Sequence, residues 1–307
     1  IIPCSHAVMD WKNQQLVTTN NDKLNIHRDF TPKKRACEMC RANVTYLTVA
    51  REGKVLVGTR RGQVLVFDSN SGSLLDSQQV DLSPESTLVE IGTTGSFACF
   101  SLISTIKIID IETLIEQHSY NVFNVVQLTC STDGESLAVR TQGEGVDDGS
   151  SVRVYNLSTK SLMASKRIPR VSSIALIDQY RVACTRRDSG YVAVMSVEFT
   201  GRLTPILSLY CGVESIERIE LCDHGRSLVL IDLTGKLGLL NIENGSVKLF
   251  RYDREHRPKE LSVKADSSEL LIKFFNERIW RCQIVQEFEH ILFLRHVQRS
   301  RLINGLK

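Results

Sequence analysis

Several features that mark membrane, secreted or catalytic proteins are missing from this chain. No apolar run approaches the ~18–20 residues that a membrane helix needs, so we predict no membrane span. The opening Ile1-Ile2-Pro3-Cys4 has neither the basic start nor the long apolar core of a signal peptide. The G-x-S-x-G, Walker A and H-E-x-x-H motifs are also absent. We therefore predict an intracellular, cytoplasmic protein that is not an enzyme and has no cofactor.

The chain also lacks a strong charge of either sign. Its formal net charge is +3 at pH 7. So small an excess does not indicate a nucleic-acid partner, because the clustering of charge matters more than its sum. The chain does not begin with Met, and we expect it to be one domain of a larger multidomain protein.

The nine cysteines do not form an even set that could pair into disulfides. Cys99 and Cys184 stand inside apolar strand patterns, which favours reduced, buried thiols in an intracellular protein. Cys37 and Cys40 form a single C-x-x-C, and a structural zinc site needs two further ligands. We predict free thiols at both positions and no metal site.

Seven short segments of the chain resemble one another and recur at intervals of 40 to 46 residues. They lie at 24–28, 64–68, 106–110, 152–156, 192–196, 237–241 and 277–281. A repeat of about 40 residues that contains only strands is typical of a β-propeller, whose blades are four-stranded sheets. We therefore predict an all-β fold, a seven-bladed β-propeller with four antiparallel strands in each blade.

The predicted propeller occupies residues 1–296, and a basic tail or linker follows at 297–307. Its blades are expected at about 6–41, 42–84, 85–122, 123–169, 170–212, 213–256 and 257–296. The second blade is the clearest, with strands at Val44–Val49, Val55–Gly58, Val64–Asp68 and Ser73–Val80 between turns rich in Gly, Asn and Ser. The outer strand of the last blade is expected at Phe288–Leu294.

These repeats resemble those of the WD40 family over almost the whole chain. Ser131-Thr132-Asp133-Gly134 is close to the Ser-Pro-Asp-Gly-like turn of the family, and Phe67-Asp68 comes nearest to its Trp-Asp signature. The Gly-His dipeptide of regular repeats is missing, so the chain resembles a degenerate member. The buried His–Ser–Asp network of regular members cannot form in most blades, and cohesion then comes largely from apolar packing.

The resemblance also predicts where arginines gather. In WD40-like propellers, the loops between second and third strands share one rim with the loops between blades. The arginines expected on this rim are Arg41, Arg60, Arg61, Arg167, Arg170, Arg186, Arg187, Arg254 and Arg257. Arginine binds carboxylates and phosphates in a bidentate manner, which suits an acidic or phosphorylated partner. The alternative is ordinary solvated charge, balanced by acidic residues such as Asp147, Asp148 and Asp188.

Together these features favour a non-catalytic protein–protein interaction scaffold, with docking of acidic or phosphorylated partners on the Arg-rich rim. One alternative is an RNA-binding propeller that uses the same rim. Stacking aromatic residues are then expected in its loops, where Tyr120, Tyr210 and Tyr252 are the nearest. A further alternative is a homodimerisation module in a signalling kinase or ATPase.

Overall fold

The structure is a computed structural model, and it describes most of the chain. The described residues are 6–10, 15–20, 23–28, 34–38, 44–50, 53–59, 63–79, 90–94, 97–102, 104–113, 115–131, 133–143, 149–250, 258–263, 269–274, 279–286 and 292–299. The chain divides into two compact units, one of residues 1–128 with 300–307 and one of residues 129–299.

Three four-stranded antiparallel sheets belong to the first unit. The first sheet consists of β1 (His6–Asp10), β2 (Gln15–Asn20), β3 (Lys23–Arg28) and β4 (Lys34–Glu38). The second consists of β5 (Val44–Val49), β6 (Lys54–Thr59), β7 (Gln63–Asp68) and β8 (Leu74–Gln79). The third consists of β9 (Glu90–Thr94), β10 (Phe97–Ser101), β11 (Thr105–Asp110) and β12 (Glu116–Asn121). In each sheet the strands follow one another in chain order, so hairpins connect them throughout.

The remaining four sheets repeat the same plan. The fourth sheet consists of β13 (Val125–Cys130), β14 (Ser136–Thr141), β15 (Ser151–Asn156) and β16 (Ser161–Arg167). The fifth consists of β17 (Val171–Asp178), β18 (Arg181–Arg186), β19 (Tyr191–Val197) and β20 (Leu203–Tyr210). The sixth consists of β21 (Ile216–Cys222), β22 (Ser227–Asp232), β23 (Leu237–Asn241) and β24 (Val247–Phe250). The seventh consists of β25 (Pro258–Val263), β26 (Glu269–Phe274), β27 (Ile279–Gln286) and β28 (Leu292–Arg299).

The prediction of seven complete blades in one closed domain is wrong. Only six of the four-stranded sheets lie wholly inside one compact unit, the first three in one and the last three in the other. The sheet of β13–β16 is divided, because the boundary between the units falls inside β13, between Leu128 and Thr129. The structure therefore has six complete blades. The repeat counts third strands, and it does not show whether the four strands of a sheet lie in the same compact unit.

Strand β17 shows how neighbouring sheets are held together in the second unit. Ile174 and Leu176 pack with Val152 of the fourth sheet in one buried cluster. Ala175 lies in a different cluster with Leu228 of the sixth sheet. Successive side chains of a strand point to opposite faces, so this inner strand is buried on both. Each fully buried aliphatic side chain contributes about 1.5–3 kcal/mol, and such packing is the main source of cohesion between these sheets.

Buried polar pairs also contribute in the first unit. His27, which stands at the Trp-like position of its repeat, is fully buried, and its Nε2 lies 3.1 Å from the hydroxyl oxygen of Thr18. The Ser69 hydroxyl donates to Oδ2 of Asp10 at 2.6 Å, which connects the first and second sheets. Hydrogen bonds of this kind offset the cost of burying polar groups.

The last strand, β28, covers Leu292–Arg299 and includes the end of the predicted outer strand at Phe288–Leu294. Residues 288–291 of that prediction lie outside the described residues. In the part of the chain that the structure describes, no helix has the length and apolar character needed to cross a membrane.

Candidate partner-binding site

The predicted arginines fall into two groups. Arg41, Arg60, Arg61, Arg254 and Arg257 lie outside the described residues. The other four, Arg167, Arg170, Arg186 and Arg187, belong to the second unit, where the structure gives their surroundings. The candidate site is therefore built from the loops of the fourth, fifth and sixth sheets.

Consecutive loops of the second unit lie side by side at one end of these sheets. The β16–β17 loop contacts the β14–β15 loop, because the Ile168 amide donates to the Ser150 carbonyl at 2.9 Å. The same loop contacts the β18–β19 loop, because the Arg187 amide donates to the Arg170 carbonyl at 2.9 Å. Loops between blades and loops between second and third strands thus meet at this end, which we call the arginine rim.

The series continues into the sixth sheet. The hydroxyl of Ser215, in the β20–β21 loop, donates to the Arg187 carbonyl. The carbonyl of Ser215 in turn accepts from the Leu233 amide at 3.3 Å, which brings in the β22–β23 loop. A continuous series of hydrogen bonds therefore fixes the backbone that carries Arg170 and Arg187.

One carboxylate holds two of the rim arginines. Oδ2 of Asp188 lies 3.2 Å from Nη1 of Arg170 and 3.2 Å from Nη2 of Arg186. All three side chains are substantially exposed, at 62% for Arg170, 48% for Arg186 and 37% for Asp188. Desolvation is the largest single influence and raises the pKa of the Asp188 carboxyl, but the charge of Arg186 and hydrogen bonds to the carboxylate together outweigh it and hold that pKa below its usual value.

The positive charge of this cluster exceeds the negative charge beside it. Arg187 is exposed and, among the residues that the structure describes, makes no ion pair. Glu214 is the acidic residue of the neighbouring β20–β21 loop, and it is also exposed. Arg167 stands apart from the cluster, because its guanidinium lies over Gly149, where an added Cβ would come within 2.5 Å of Nη2. The structure thus brings Arg170, Arg186 and Arg187 together and leaves Arg167 at the end of β16.

Two positions of the backbone near this cluster have unusual requirements. Arg170 has a φ of +57°, a left-handed conformation that costs a non-glycine residue roughly 1–2 kcal/mol. Gly190 lies so close to the β20–β21 loop that an added Cβ would stand 1.7 Å from the Val213 carbonyl oxygen. Any larger residue there would push the two loops apart, so the position requires glycine.

Beside the arginines lies an aromatic pair, of which sequence reasoning named Tyr210 and missed Tyr191. The rings of Tyr191 and Tyr210 have centroids 5.0 Å apart, and the two side chains are 50% and 57% exposed. Tyr210 also lies against Gly190, with Cε2 3.0 Å from the position of an added Cβ. The sequence did contain one indication of Tyr191, because this residue directly follows Ser189-Gly190, which end the β18–β19 loop that carries Arg187.

The second unit offers no obvious catalytic chemistry in its described part. Burial raises the pKa of the Cys184 thiol to about 12 and that of Cys211 to about 11, so both stay protonated and weakly nucleophilic at neutral pH. Within the described ranges, no three His, Cys, Asp or Glu side chains come together as metal ligands. What the rim can do is bind anions through exposed guanidinium groups.

Comparison with known proteins finds similar folds among solved structures. No protein-family profile matches the chain, and no curated protein matches its sequence. Among solved structures, a chain of the mitotic checkpoint complex is similar with a TM-score of 0.72 and 12% identity, over 91% of this chain and 87% of that one. Hsv2p of Kluyveromyces lactis is similar with a TM-score of 0.68 and 14% identity, over 96% of this chain and 98% of that one.

These similarities extend over nearly the whole chain, while the sequence identity is very low. Together with the four-stranded antiparallel sheets, they show that the chain has a β-propeller fold. The absence of a matching family profile agrees with the degenerate repeats. The predicted family resemblance is confirmed at the level of the fold.

Proposed function

We propose that this propeller is a non-catalytic protein–protein interaction scaffold, which docks an acidic or phosphorylated segment of a partner protein on the arginine rim. The observation that carries the proposal is the pairing of Arg170 and Arg186 with the single carboxylate of Asp188, beside the exposed Arg187. A carboxylate already bound between two guanidinium groups is the contact that an acidic partner would make.

The charge balance of the cluster supports an external ligand. Two guanidinium groups share one carboxylate, and the exposed Arg187 next to it in sequence adds a third positive charge, so a positive excess remains after Asp188 is counted. Exposed ion pairs contribute only about 0.2–1 kcal/mol each, so useful affinity needs several of them on a fixed scaffold. The hydrogen bonds that connect the loops fix the backbone here and reduce the entropy lost on binding.

The fold comparisons are compatible with this proposal. One similar chain comes from a structure described as the mitotic checkpoint complex, which is an assembly. Propellers are platforms on which loops and rims determine the task, so the fold alone does not select a partner. The proposal therefore depends on the arginine cluster and is open to direct test there.

Two double variants that remove the same charge provide the test. Arg186→Ser/Arg187→Ser removes two positive charges from the rim. Arg181→Ser/Arg226→Ser removes two positive charges at the other end of the same sheets, where Arg181 pairs with Asp178 and Arg226 faces Glu243. Each purified domain is incubated with cell extract, and the bound proteins are quantified by mass spectrometry, with phosphatase-treated and ribonuclease-treated extracts as parallel samples.

We expect a partner that binds the wild type and the Arg181→Ser/Arg226→Ser variant but is lost from the rim variant. Its loss after phosphatase treatment would identify a phosphorylated partner, and its retention an acidic one. If both variants recover the same partner proteins, the proposal is contradicted. Loss of only ribonuclease-sensitive material would establish the RNA-binding alternative instead, with Tyr191 and Tyr210 available for stacking.

A further inference from the structure

The outer strand of the fifth sheet lacks the charged side chains that usually discourage an edge strand from pairing further. Strand β20 is the last strand of its sheet in the order β17-β18-β19-β20, and its residues Leu203–Tyr210 include no charged side chain. Ile206, Leu207 and Tyr210 are all exposed. Edge strands usually carry charges that discourage further pairing, as β16 does with Lys166 and Arg167. Beyond its start, where Arg202 forms a β-bridge with Ser165 of β16, strand β20 therefore presents an apolar, uncharged edge to solvent.

The hydrogen-bond phase of β20 shows which backbone groups point outward. The Cys211 amide donates to the Gly190 carbonyl at 2.8 Å, so these two residues form a hydrogen-bonded pair. Pairs in an antiparallel ladder alternate, and the register sets Tyr210 opposite Tyr191 and Ser208 opposite Ala193. The N–H and C=O groups of Ser208 and Tyr210 therefore point away from β19, toward the open edge.

This open edge leads directly to the arginine rim. Tyr210 ends β20, and its ring lies against Gly190, in the loop that carries Arg187 and directly follows Arg186 at the end of β18. Tyr191 packs beside Tyr210 with ring centroids 5.0 Å apart. An extended chain placed along Ser208 and Tyr210 would therefore pass from an apolar surface to a cationic one.

We infer that β20 receives an extended segment of the acidic partner by strand addition, with the acidic residues of that segment at the arginine end. This inference rests on the proposed function and specifies the ligand for it. Main-chain hydrogen bonds to Ser208 and Tyr210 hold the segment, an apolar residue covers Leu207, and a carboxylate or phosphate reaches Arg186 or Arg187. The ligand is thus an extended peptide with an apolar stretch joined to an acidic end.

The edge is less suited to a second copy of this chain. A symmetric dimer would pair β20 with β20 along its whole length, including Pro205. Glu198 and Arg202 form a hydrogen-bonded pair, so Pro205, three pairs further along and opposite Met195, faces the open edge, and it has no N–H to donate to a neighbouring strand. A short peptide that pairs only with Ser208 and Tyr210 does not meet this obstacle.

The probe is a displayed library of random decapeptides, selected on the purified domain at about 0.05 M salt, where screening is weak. The three strongest binders are synthesised, and the dissociation constant of each is measured by fluorescence anisotropy. Each peptide is also made with N-methyl groups at alternate residues, which block strand pairing and leave the side chains intact. Ser208→Pro removes an outward N–H, and Ser208→Ala is its matched control.

We expect binders with acidic residues clustered at one end. N-methylation in one of the two alternating frames, and the Ser208→Pro change, should each weaken binding about tenfold or more, while Ser208→Ala leaves it unchanged. Thermal unfolding of both Ser208 variants checks that the sheet remains folded.

Other outcomes separate the two proposals. If N-methylated peptides bind as well as their parents and Arg186→Ser/Arg187→Ser abolishes binding, strand addition is overturned and the arginine docking site stands. If Ser208→Pro weakens binding and Arg186→Ser/Arg187→Ser has no effect, the inference that the ligand carries acidic residues is overturned. Failure to select any acidic peptide would overturn strand addition by an acidic segment, while docking of a phosphorylated segment is tested by the phosphatase-treated extract. A dimer in sedimentation that Ser208→Pro dissociates would make a second copy the occupant, against the inference.

Discussion

The two ends of strand β18 carry similar residues in different proportions. At its start, Arg181 pairs with Asp178, whose Oδ2 lies 2.6 Å from Nε, and one carboxylate serves one guanidinium. At its end, Oδ2 of Asp188 serves both Arg170 and Arg186, and Arg187 stands next to them. At the first end one positive and one negative charge balance each other, whereas the second end retains a positive excess. The ratio of charges, more than the number of arginines, distinguishes a surface ion pair from a site with capacity for a ligand.

Of the changes that test the difference between the two ends of β18, Gly190→Ala is expected to have the largest effect, a loss of stability. The new Cβ would clash with the Val213 carbonyl oxygen, forcing the β18–β19 and β20–β21 loops apart, at a cost of about 3 kcal/mol. Gly201→Ala is the control at the other end of the sheet, where the nearest atom is 3.7 Å from the added Cβ and the φ of +77° sets a cost of about 1 kcal/mol. Urea unfolding measures both. Equal losses would mean that the rim loops can move apart freely.

A smaller effect is expected from Asp188→Asn. Removing the carboxylate frees both arginines for an external anion, and we expect acidic peptides to bind about threefold more tightly at low salt. Asp178→Asn removes the same charge from the Arg181–Asp178 pair and should leave binding unchanged. Fluorescence anisotropy provides the measurement. Weaker binding by the Asp188→Asn protein would show that this carboxylate orients the arginines for the ligand.

The smallest effect concerns stability at acidic pH. The pKa of Asp188 is lower in the folded protein, so its contribution to stability is complete above the unfolded value of about 4 and disappears as the pH falls through the lowered pKa. Wild type should therefore exceed Asp188→Asn in unfolding free energy at neutral pH, and this difference should vanish at strongly acidic pH. Urea unfolding across the acidic range tests this. A difference that grows on acidification would contradict the assigned pKa direction.

Much of the strand plan was predictable because alternation and turn residues are local signals. In the second sheet the predicted Val44–Val49 is β5 in full, and Val64–Asp68 is β7 apart from one residue. The number of complete blades was not predictable, since nothing in Val125–Cys130 indicates that a unit boundary crosses the strand.

The candidate site was predictable only in part. Placing Arg170 near Arg186 and Arg187 required the blade register alone, and the structure has these residues in adjoining loops. The sharing of Asp188 by two guanidinium groups depends on side-chain geometry that the sequence does not state. The partnership of Tyr191 with Tyr210 depends on the pairing of β19 with β20, and the exposure of both rings follows only from the folded chain.

The series of hydrogen bonds through Ile168, Arg187, Ser215 and Leu233 has a consequence for how this surface can change in evolution. Each loop is tied to its neighbour through a main-chain carbonyl, so an inserted or deleted residue in one loop would shift the bonds of the next. New binding specificities on this rim would therefore arise by substitution of side chains at fixed loop lengths. The freely exposed turn at Phe199-Thr200, on the opposite end of the fifth sheet, is where insertions should be tolerated.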